Sequence, residues 1–529
     1  MPTDCISYKT SGYFSSLMND YLDEKSNLQP LYNRFPKLEN FEGQIIEKQA
    51  NFDNTMRATL VSVIEKQYAS LTTSQLTTQN IEALKVNNTF TVTTGHQLNL
   101  FSGPLYFLYK IISTINLTEE LKIKYPAYNF VPIYWMATED HDFEEINYFN
   151  FKGKKFRWNT ESTGPVGRLS TEGLDAFFEI YEQELGTSTN ATAIKKLFKE
   201  AYLQHDNLAN ATRHLANVLF GTYGLVILDA DDKDLKRTFI PYIKEELLHQ
   251  KSHKLVLETV EKLKDYTVQV NPREINLFYI EDHLRQRIVF ENDIYKVNHT
   301  KIEFTEDEIL KSLDSNPEMF SPNVIMRPLY QEVILPNLCY IGGGGEIAYW
   351  LELKSFFNAV NITFPILLVR NSVLLATEKQ IKKIDKLNLE WSDLFSKQSE
   401  LINTITLKNS EFPIDLTPQK ELLHKQFADL FELAKQTDKS FVGAVKAQEV
   451  KQIKGLENLE KRLLKAQKRK YSELIERATE LQNELFPNKS LQERQINFSE
   501  FYLENGPNLI PKLISQLHPL DQTFEIVTL

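Results

Sequence analysis

Residues 89–110 read TFTVTTGHQLNLFSGPLYFLYK, and they indicate the class of fold. The first part, from Thr89 to Thr93, is β-branched and alternating, which is typical of a strand. The following Phe101-Ser102-Gly103-Pro104 predicts a helix start, because proline has no amide hydrogen to leave unpaired in a first helical turn. Apolar residues then recur at the spacing of a buried helical face, at Leu105, Leu108, Ile112 and Ile115. A strand, a loop and a helix in this order open an α/β sheet.

Further apolar runs, separated by helical segments, predict more strands of the same sheet. These runs are Phe130 to Met136, Gly224 to Leu228, Pro322 to Met326, Leu338 to Ile341 and Phe364 to Val369. Strands that are apolar nearly throughout are buried on both faces. We therefore predict an α/β core, with a mostly parallel sheet and helices on both of its faces.

Three other parts of the chain depart from this alternation. The region up to about Asn88 is helical and polar and resembles a lead-in to the core. The interval of about 151–318 is less regular and is predicted to hold insertions on the core. Strand-like pieces inside this interval are Tyr266 to Val270 and Arg287 to Phe290.

The residues from Ala376 to Leu485 are rich in Lys, Glu, Gln and Leu. They carry apolar positions at the spacing of a coiled-coil seam, at Leu456, Leu463, Leu474, Ala478, Leu481 and Leu485. A break near Phe412-Pro413 and Pro418 is predicted to separate two antiparallel helices, and Pro487 ends the second. We predict a core over 1–375, a helical arm over 376–487 and a C-terminal segment over 488–529 that returns a strand to the core.

Charge and cysteine content exclude several classes of protein. The formal net charge is -11, which disfavours a nucleic-acid binder. The two cysteines, Cys5 and Cys339, are far apart, which excludes a disulfide framework and a cysteine zinc site. The N-terminus has no secretory pattern, and no run of about 18 apolar residues predicts a membrane span. We expect a soluble, cytoplasmic protein that does not contact membranes.

The first group of candidate site residues lies around the quoted stretch: Thr94, Gly95, His96, Gln97, Gly103, Tyr106 and Lys110. A glycine-containing loop between a strand and a helix holds anions with backbone amides and the positive end of the helix dipole. Tyr106 and Lys110 lie four residues apart on one helical face, where the lysine can meet a carboxylate or a phosphate. The alternative is a capped helix with a solvated lysine.

The second group is Glu139-Asp140-His141-Asp142, at the carboxyl end of a predicted buried strand. Open α/β sheets bind their ligands at such ends. Between two carboxylates, His141 would be more basic than usual and suited to take a proton from an amine. The same carboxylates can hold Mg²⁺ beside a nucleotide, whereas four adjacent residues cannot all face one zinc ion. The alternative is an acidic first turn of a helix.

The third group extends from Arg327 and Gln331 to the glycines that begin with Gly342 and Gly343. Four consecutive glycines after an apolar strand favour close approach of the backbone to an anionic ligand. Neither the P-loop nor the dinucleotide pattern is present, and the alternative is a flexible turn. Glu346 and Tyr349 follow on the next helix. Arg327 and Arg370, each at a predicted strand end, are candidate clamps for a carboxylate or a phosphate.

These three groups, in this order, resemble the bacillithiol synthase family, the cysteine ligases known as BshC. The resemblance spans essentially the whole chain, including the helical arm. The stretches that carry it are Thr94 to Gln97, Leu100 to Tyr106, Pro132 to Phe143, Ser321 to Gln331, Pro336-Asn337, Tyr340 to Gly343, Glu346 to Trp350 and Leu491 to Arg494. Many members of that family have Gln-Gln where this chain has His96-Gln97.

The resemblance implies a fold and an activity. Members of the family join the carboxyl group of L-cysteine to the amine of glucosaminyl-malate, in the last step of bacillithiol synthesis. Their core is similar to class I aminoacyl-tRNA synthetases, being Rossmann-like with connecting-peptide insertions, and their subunits dimerise through an antiparallel coiled coil. By that analogy, residues 94–97 occupy the place of the synthetase signature that grips ATP.

From the residues and the resemblance together we assign roles. The predicted catalytic residues are His141, Asp140, Asp142 and His96. The predicted substrate-binding residues are Thr94, Gly95, Gln97, Gly103, Tyr106, Lys110, Trp135, Glu139, Arg327, Gln331, Gly342, Gly343, Glu346, Tyr349 and Arg370. ATP with Mg²⁺ is the expected activator of the cysteine carboxyl, and no tightly bound cofactor or protein-held metal is expected. The alternatives are a nucleotide-binding scaffold that recruits partners through its arm and a tRNA-binding relative of the synthetases, which the net charge disfavours.

Overall fold

The computed structural model describes residues 4–529 and divides them into two compact units. The first unit, the core, comprises the described residues up to Lys9, Tyr13–Leu375 and Ser490–Leu529. The second unit, the arm, comprises Thr10–Gly12 and Ala376–Lys489. The residues after 489 therefore fold with the N-terminal part of the chain.

Fifteen strands form within the described residues. They are β1 Asp4–Ser7, β2 Thr89–His96, β3 Asn129–Met136, β4 Tyr148–Phe151, β5 Lys154–Arg157, β6 Val226–Asp229, β7 Leu277–Glu281, β8 Leu284–Glu291, β9 Ile294–Val297, β10 Glu303–Phe304, β11 Phe320–Pro322, β12 Asn337–Gly342, β13 Ile366–Val369, β14 Ser372–Ala376 and β15 Thr523–Thr528.

The α-helices within the described residues number twenty-four. They are α1 Tyr8–Ser11, α2 Ser16–Leu22, α3 Asn40–Asn51, α4 Met56–Tyr68, α5 Gln75–Ala83, α6 Tyr106–Lys124, α7 Phe143–Ile146, α8 Leu174–Leu185, α9 Thr189–Tyr202, α10 Leu208–Phe220, α11 Lys233–His249, α12 Lys251–Glu261, α13 Glu306–Ser315, α14 Met326–Ile334, α15 Gly344–Leu351, α16 Lys354–Ala359, α17 Glu378–Lys386, α18 Trp391–Phe395, α19 Gln398–Asn409, α20 Thr417–Ala434, α21 Lys439–Lys470, α22 Ser472–Leu485, α23 Phe498–Asn505 and α24 Leu509–Gln516.

The core is built on a five-stranded parallel sheet with the order β13-β12-β2-β3-β6. Read from β6, the strands follow the order 3-2-1-4-5, which is the first part of the Rossmann arrangement. This sheet confirms the predicted α/β fold. The strand order reverses between β2 and β12, so their carboxyl ends flank the crevice where such sheets bind ligands.

The strands of this sheet are almost wholly buried, as their apolar sequences predict. Every residue of β2 and β12 is buried. Phe41 of α3 and Leu117 of α6 pack with Phe90, Ile341 and Leu368 of three neighbouring strands in one apolar cluster. Burial of each large apolar side chain contributes roughly 1.5–3 kcal/mol to stability, so this layer holds the strand ends in place.

A second five-stranded sheet belongs to the insertion and is antiparallel, with the order β10-β9-β8-β7-β11. It contains the strand predicted over Arg287 to Phe290. Two other strand predictions were wrong. The segment Tyr266 to Val270 is irregular, and only Pro322 of the segment Pro322 to Met326 is in a strand, because helix α14 begins at Met326.

The predicted C-terminal strand is confirmed. It is β15, which lies between β1 and β14 in a three-stranded sheet, and its pairing with β1 is antiparallel. A small hairpin of β4 and β5 completes the strand pairings that the described residues show. Within residues 4–529, the helices contain no stretch that is both long and apolar enough to cross a membrane.

The arm contains α17 to α22. Helices α20 and α21 pack together, with Phe427, Ala434 and Val445 buried between them. An ion pair joins Lys420 to Glu460 at 2.6 Å and a hydrogen bond joins His424 to Glu449 at 2.8 Å, a pairing that runs antiparallel.

The antiparallel coiled coil is thus confirmed, but its reversal was misplaced. The chain turns back at residues 435–438, where Asp438 caps α21. The predicted break near Pro413 instead separates α19 from α20, because proline removes a backbone donor without reversing the chain. Helix α22 ends at Leu485, before Pro487, as predicted.

Candidate active site

A cleft of about 980 Å³ opens in the core at the switch point between β2 and β12. Its walls come from the ends of β2, β3 and β12, from helices α6, α14 and α15, and from the antiparallel sheet of the insertion. Parallel strands that end at one sheet edge bring the three groups of candidate residues into a single cleft.

Most of the predicted site residues line this cleft. They are Gly95, His96, Gln97, Tyr106, Lys110, Trp135, Glu139, Asp140, Arg327, Gly343, Glu346, Tyr349 and Arg370. The predicted residues that are not part of its lining are Thr94, Gly103, Gln331, Gly342, His141 and Asp142.

Four of the residues outside the lining serve the structure around it. The Thr94 hydroxyl donates to the Ile341 carbonyl at 2.8 Å, which ties β2 to β12. Gly103 has φ +62° in the turn before α6, where a Cβ would lie 2.6 Å from Asn99. Gly342 ends β12, where it pairs with Val369 of β13, and Gln331 is fully buried in α14. A role for these four in direct substrate binding is therefore not supported by their positions.

Lys110 and Glu346 form a buried ion pair at the head of the cleft. The Lys110 ammonium lies 2.5 Å from the Glu346 carboxylate and donates to the Gly95 carbonyl at 2.7 Å. Tyr340 and the Gly343 amide donate to the same carboxylate at 2.8 and 2.9 Å. Burial lowers the pKa of Lys110, and it would raise the pKa of Glu346, but the ammonium holds that pKa below its usual value.

This arrangement changes the prediction for the glycine turn. The Gly343 amide, expected to face an anionic ligand, is already paired with Glu346 as part of a helix cap. Gly343 and Gly345 still line the cleft without side chains, so a ligand can approach the backbone closely there. Gly95, predicted to lie in a loop, belongs to β2, which continues to His96, whereas α6 begins at Tyr106, close to the start predicted at Gly103-Pro104.

His96 lies in the cleft wall as a neutral ring. Its Nδ1 donates to the Gln97 carbonyl at 2.7 Å, and the ring stacks on Tyr106 with centroids 5.3 Å apart. Burial and the nearby Lys110 ammonium lower the pKa of His96 to about 3. A group with this pKa does not exchange protons near neutral pH, so the predicted catalytic role of His96 as an acid or base is not supported.

Gln97 joins two carboxylates at the mouth of the cleft. Its side-chain amide donates to Asp140 and to Glu145, each at 2.9 Å. The other oxygen of Asp140 accepts the His141 backbone amide at 2.7 Å, which fixes the turn after β3. Glu145, which follows the second group of candidate residues in the sequence, also lines the cleft beside Asp140.

His141 stands next to the cleft in contact with a guanidinium. Its Nδ1 lies 2.7 Å from Arg285, so that nitrogen accepts the hydrogen bond and the proton is on Nε2. Asp140 is farther away, at 3.8 Å. The sequence predicted a raised basicity, but partial burial and then Arg285 lower the pKa of His141. Asp142 is exposed and immediately precedes α7.

Glu139 belongs to a network of charged side chains at the carboxyl ends of β3 and β6. Buried Lys236 of α11 lies 2.6 Å from Glu139 and 2.8 Å from Asp231, and Arg168 pairs with Asp231 at 2.8 Å. Burial raises the pKa of Glu139, and Lys236 opposes this shift. The network fixes the carboxyl end of β3 against the next strand.

Four arginines that sequence reasoning missed also line the cleft. They are Arg273, Arg285, Arg287 and Arg494. Arg285 and Arg287 alternate on β8, and this period of two was the available signal, since it puts both on one face of a strand. Arg273 lies in an irregular segment and Arg494 in a single turn of 3-10 helix, and neither is long enough for periodicity to give a signal.

Together with Arg327, these arginines leave positive charge without a partner. Within the described chain, none of the five forms an ion pair with a carboxylate. Arg327 donates only to the neutral Gln331 amide oxygen at 3.0 Å and the Tyr349 hydroxyl at 3.3 Å. Its guanidinium lies over Trp135 with 5.7 Å to the ring centroid, a weakly hydrated setting that favours an anionic ligand.

Arg370 differs from these five. Its guanidinium is buried and doubly bonded to Glu493, at 2.6 and 3.0 Å. Glu493 also accepts the Val373 amide, so the pair attaches the C-terminal segment to the end of β13. The predicted clamp for a substrate carboxylate is thus already occupied by a protein carboxylate. Among the described residues, no group of three or more His, Cys, Asp or Glu side chains is arranged to hold a metal ion.

The fold and the cleft define a Rossmann-like protein with a polar, arginine-rich ligand site at its switch point. Family models give a more specific assignment. "Bacillithiol biosynthesis BshC, N-terminal Rossmann-like domain" matches residues 1–371, and the corresponding "C-terminal coiled-coil domain" matches residues 373–529. The chain belongs to the bacillithiol biosynthesis BshC family, which is a family of ligases.

Similar proteins are named "Putative cysteine ligase BshC". The one from Flavobacterium johnsoniae is 73% identical over 100% of both chains. The one from Flavobacterium psychrophilum is 65% identical over 100% of this chain and 99% of its own. The one from Cytophaga hutchinsonii is 38% identical over 98% of this chain and 97% of its own.

Among solved structures, the chain was matched to a "putative arginyl t-RNA synthetase" from Campylobacter jejuni. The match has 10% identity and a TM-score of 0.20, and it covers 83% of this chain and 98% of the other. A TM-score of this size supports no conclusion about shared structure or activity.

Proposed function

We propose that this enzyme joins the carboxyl group of L-cysteine to the amine of glucosaminyl-malate, in the last step of bacillithiol synthesis. The observation that carries the proposal is the set of five cleft arginines that no carboxylate of the described residues neutralises. The malate part of the second substrate carries two carboxylates, and arginine binds carboxylates in a bidentate manner.

Acidic side chains at another part of the cleft can bind the amine of glucosaminyl-malate. Asp140 and Glu145 lie beside each other on Gln97, and His141 stands next to Asp140. In our proposal Asp140, a carboxylate that lines the cleft, orients the amine of the sugar and takes the proton that the amine loses, because Nδ1 of His141 is already bonded to Arg285 and its Nε2 carries the proton. The amine nitrogen then attacks the activated cysteine carbonyl, a carbon–nitrogen bond forms, and the activating group leaves with the electron pair of its bond.

ATP with Mg²⁺ is the activator that we propose, since a free carboxylate does not acylate an amine in water. The wall at Gly343 and Gly345 has no side chains and adjoins Arg494, so it has space and charge for phosphate groups. The metal would arrive bound to the nucleotide, because the described residues contain no metal cluster. The same requirement for ATP and free cysteine places the proposed reaction in the cytoplasm.

The test is mass spectrometry of purified protein incubated with glucosaminyl-malate and L-cysteine, with and without ATP and Mg²⁺. Formation of bacillithiol only in the presence of ATP supports the ligase reaction and its activation by nucleotide. Formation without ATP refutes the nucleotide step. Absence of product under every condition, with nucleotide still bound by folded protein, would instead support a nucleotide-binding scaffold.

We further propose a homodimer formed by the arm. Large apolar side chains remain exposed along its two long helices, including Leu422, Leu430 and Leu433 of α20 and Val450 and Leu459 of α21. At about 100° per residue, the three leucines of α20 fall within one side of that helix. Contiguous exposed apolar surface on a helix marks an interaction site, and a second copy of the arm offers the same surface.

A further inference from the structure

Gln331 does not line the cleft, but it is hydrogen-bonded to Arg327, which does. It lies one helical turn after Arg327 on α14 and is fully buried. Its side-chain oxygen accepts from the Arg327 guanidinium at 3.0 Å, and its side-chain nitrogen donates to the Glu332 carboxylate at 3.0 Å. The opposite orientation of the amide would set donor against donor and acceptor against acceptor, so these two contacts determine the orientation.

Glu332 is in turn fixed by groups outside the cleft. Its carboxylate pairs with Lys48 of α3 at 2.9 Å, and both side chains are almost inaccessible to solvent. It also accepts from Asn337 of β12 at 2.6 Å, and Asn337 accepts from Thr93 of β2 at 2.9 Å. The N-terminal helices, which the sequence indicated only as a lead-in, thus contribute a charge to a network that ends at the cleft.

The arrangement preserves the charge of Arg327. Glu332 pairs with Lys48 and forms no ion pair with the guanidinium of Arg327. Arg327 is left with two neutral acceptors, the Gln331 amide oxygen and the Tyr349 hydroxyl, and with aromatic rings on its faces. Among the described residues no carboxylate forms an ion pair with Arg327, so its guanidinium can pair with an anionic ligand in the cleft.

We propose that Gln331 is the positioning residue of the anion site, and that the buried Lys48–Glu332 pair anchors it. Gln331 holds the Arg327 guanidinium toward the cleft without neutralising it, so that it takes a carboxylate of a dicarboxylic ligand. That the ligand is a dicarboxylate rests on the function proposed above. Gln331 itself does not touch the substrate.

The experiment measures the affinity of the full-length protein for L-malate by titration calorimetry, and the KM and kcat for glucosaminyl-malate. Gln331→Met keeps the length of the side chain and removes both hydrogen bonds, so we expect malate affinity to fall about tenfold, the effect of hydrogen bonds to a charged group. Gln331→Glu puts a carboxylate against Arg327 and should weaken malate further. In both variants KM for glucosaminyl-malate rises and kcat changes little.

Gln44→Met is the matched control. Gln44 is also a fully buried glutamine of the core, but it binds the Phe364 carbonyl and has no contact with Arg327. It should lose stability without losing affinity for malate. Unfolding midpoints of all variants separate the two effects, since a merely structural Gln331 would resemble Gln44.

Wild-type protein that binds no malate, or Gln331 variants that bind it as tightly as wild type, would overturn the inference. The second result would leave the ligase reaction intact. A malate affinity that falls in the Gln331 variants, together with the absence of any bacillithiol product, would support the inference and refute the proposed reaction instead.

Discussion

The imidazole of His96 lies between the rings of Tyr106 and Phe107, where water does not solvate it. A charged imidazolium there would lose its hydration and would face the Lys110 ammonium, so the neutral form is favoured. His141 shows the same effect more weakly, because it is half exposed and its cationic neighbour is Arg285. Histidine as a residue type suggests an acid–base group at both positions, but burial and the neighbouring cations lower the pKa of His96 and of His141.

The lowered pKa of His96 has a measurable effect on stability. Since the pKa is about 3 in the folded chain and about 6.5 when unfolded, the unfolded state binds more protons between these values. The contribution is fully present above pH 6.5 and is lost as the pH falls, by about 1.4 kcal/mol per pH unit. In His96→Gln, we expect urea unfolding between pH 7 and pH 5 to show a pH dependence smaller by roughly 2 kcal/mol.

The exposed residue His283 provides the control for this measurement. The same substitution at His283 should leave the pH dependence of unfolding close to that of the wild-type chain. If His96→Gln and the wild type lose stability in parallel as the pH falls, His96 is protonated in the folded chain and the assignment of a neutral ring is wrong.

At the scale of the element, the loop from Gln97 to Leu105 determines where α6 begins. Phe101 and Ser102 have positive φ, and Gly103 follows with φ 62° and ψ −136°, a conformation open essentially to glycine alone. The Asn497 side chain donates to the Phe101 and Gly103 carbonyls, each at 2.7 Å. The C-terminal segment thus holds the turn that positions Tyr106 and Lys110.

Gly103→Ala should therefore destabilise the chain by about 2 kcal/mol or more, from an unfavourable backbone conformation and from a Cβ placed 2.6 Å from Asn99. Thermal unfolding provides the measurement. Gly153→Ala is the control, since Gly153 also has positive φ but a Cβ there meets nothing within 4 Å. Equal losses at the two positions would show that the contact with Asn99 contributes nothing.

At the scale of the whole molecule, the arm is the element that we expect to join two copies. Leu422, Leu430 and Leu433 are 59%, 42% and 55% exposed. Changing all three to lysine should convert the dimer into a monomer, as measured by analytical ultracentrifugation, because the apolar surface is replaced by like charges. The control changes exposed polar residues of the same helix to alanine, namely Gln419, Lys425 and Asp429. A monomeric wild type, or a dimer that survives the lysine changes, would contradict the proposal.

Several features were predictable from the sequence. The strand–loop–helix unit at residues 89–110, the buried β3 and the coiled coil follow local rules of propensity and periodicity, and they were predicted correctly. Most residues of the three motifs meet in one cleft because parallel strands end at the same sheet edge. The resemblance to the BshC family, found from those motifs, agrees with the matching family models.

Charge pairing was decided only by the tertiary structure. Arg370 is paired with Glu493, 123 residues away along the chain, whereas Arg327, Arg285 and Arg287 form no ion pair with a carboxylate of residues 4–529. The acidic residues next to His141 in the sequence suggest a raised pKa, but its pKa is lowered by partial burial and by Arg285. Arg285 is 144 residues away along the chain and only 2.7 Å away in space. Local pattern determines which elements form, since their hydrogen bonds and periodicities span few residues. Electrostatic interactions depend on distance and burial, which long-range packing alone determines.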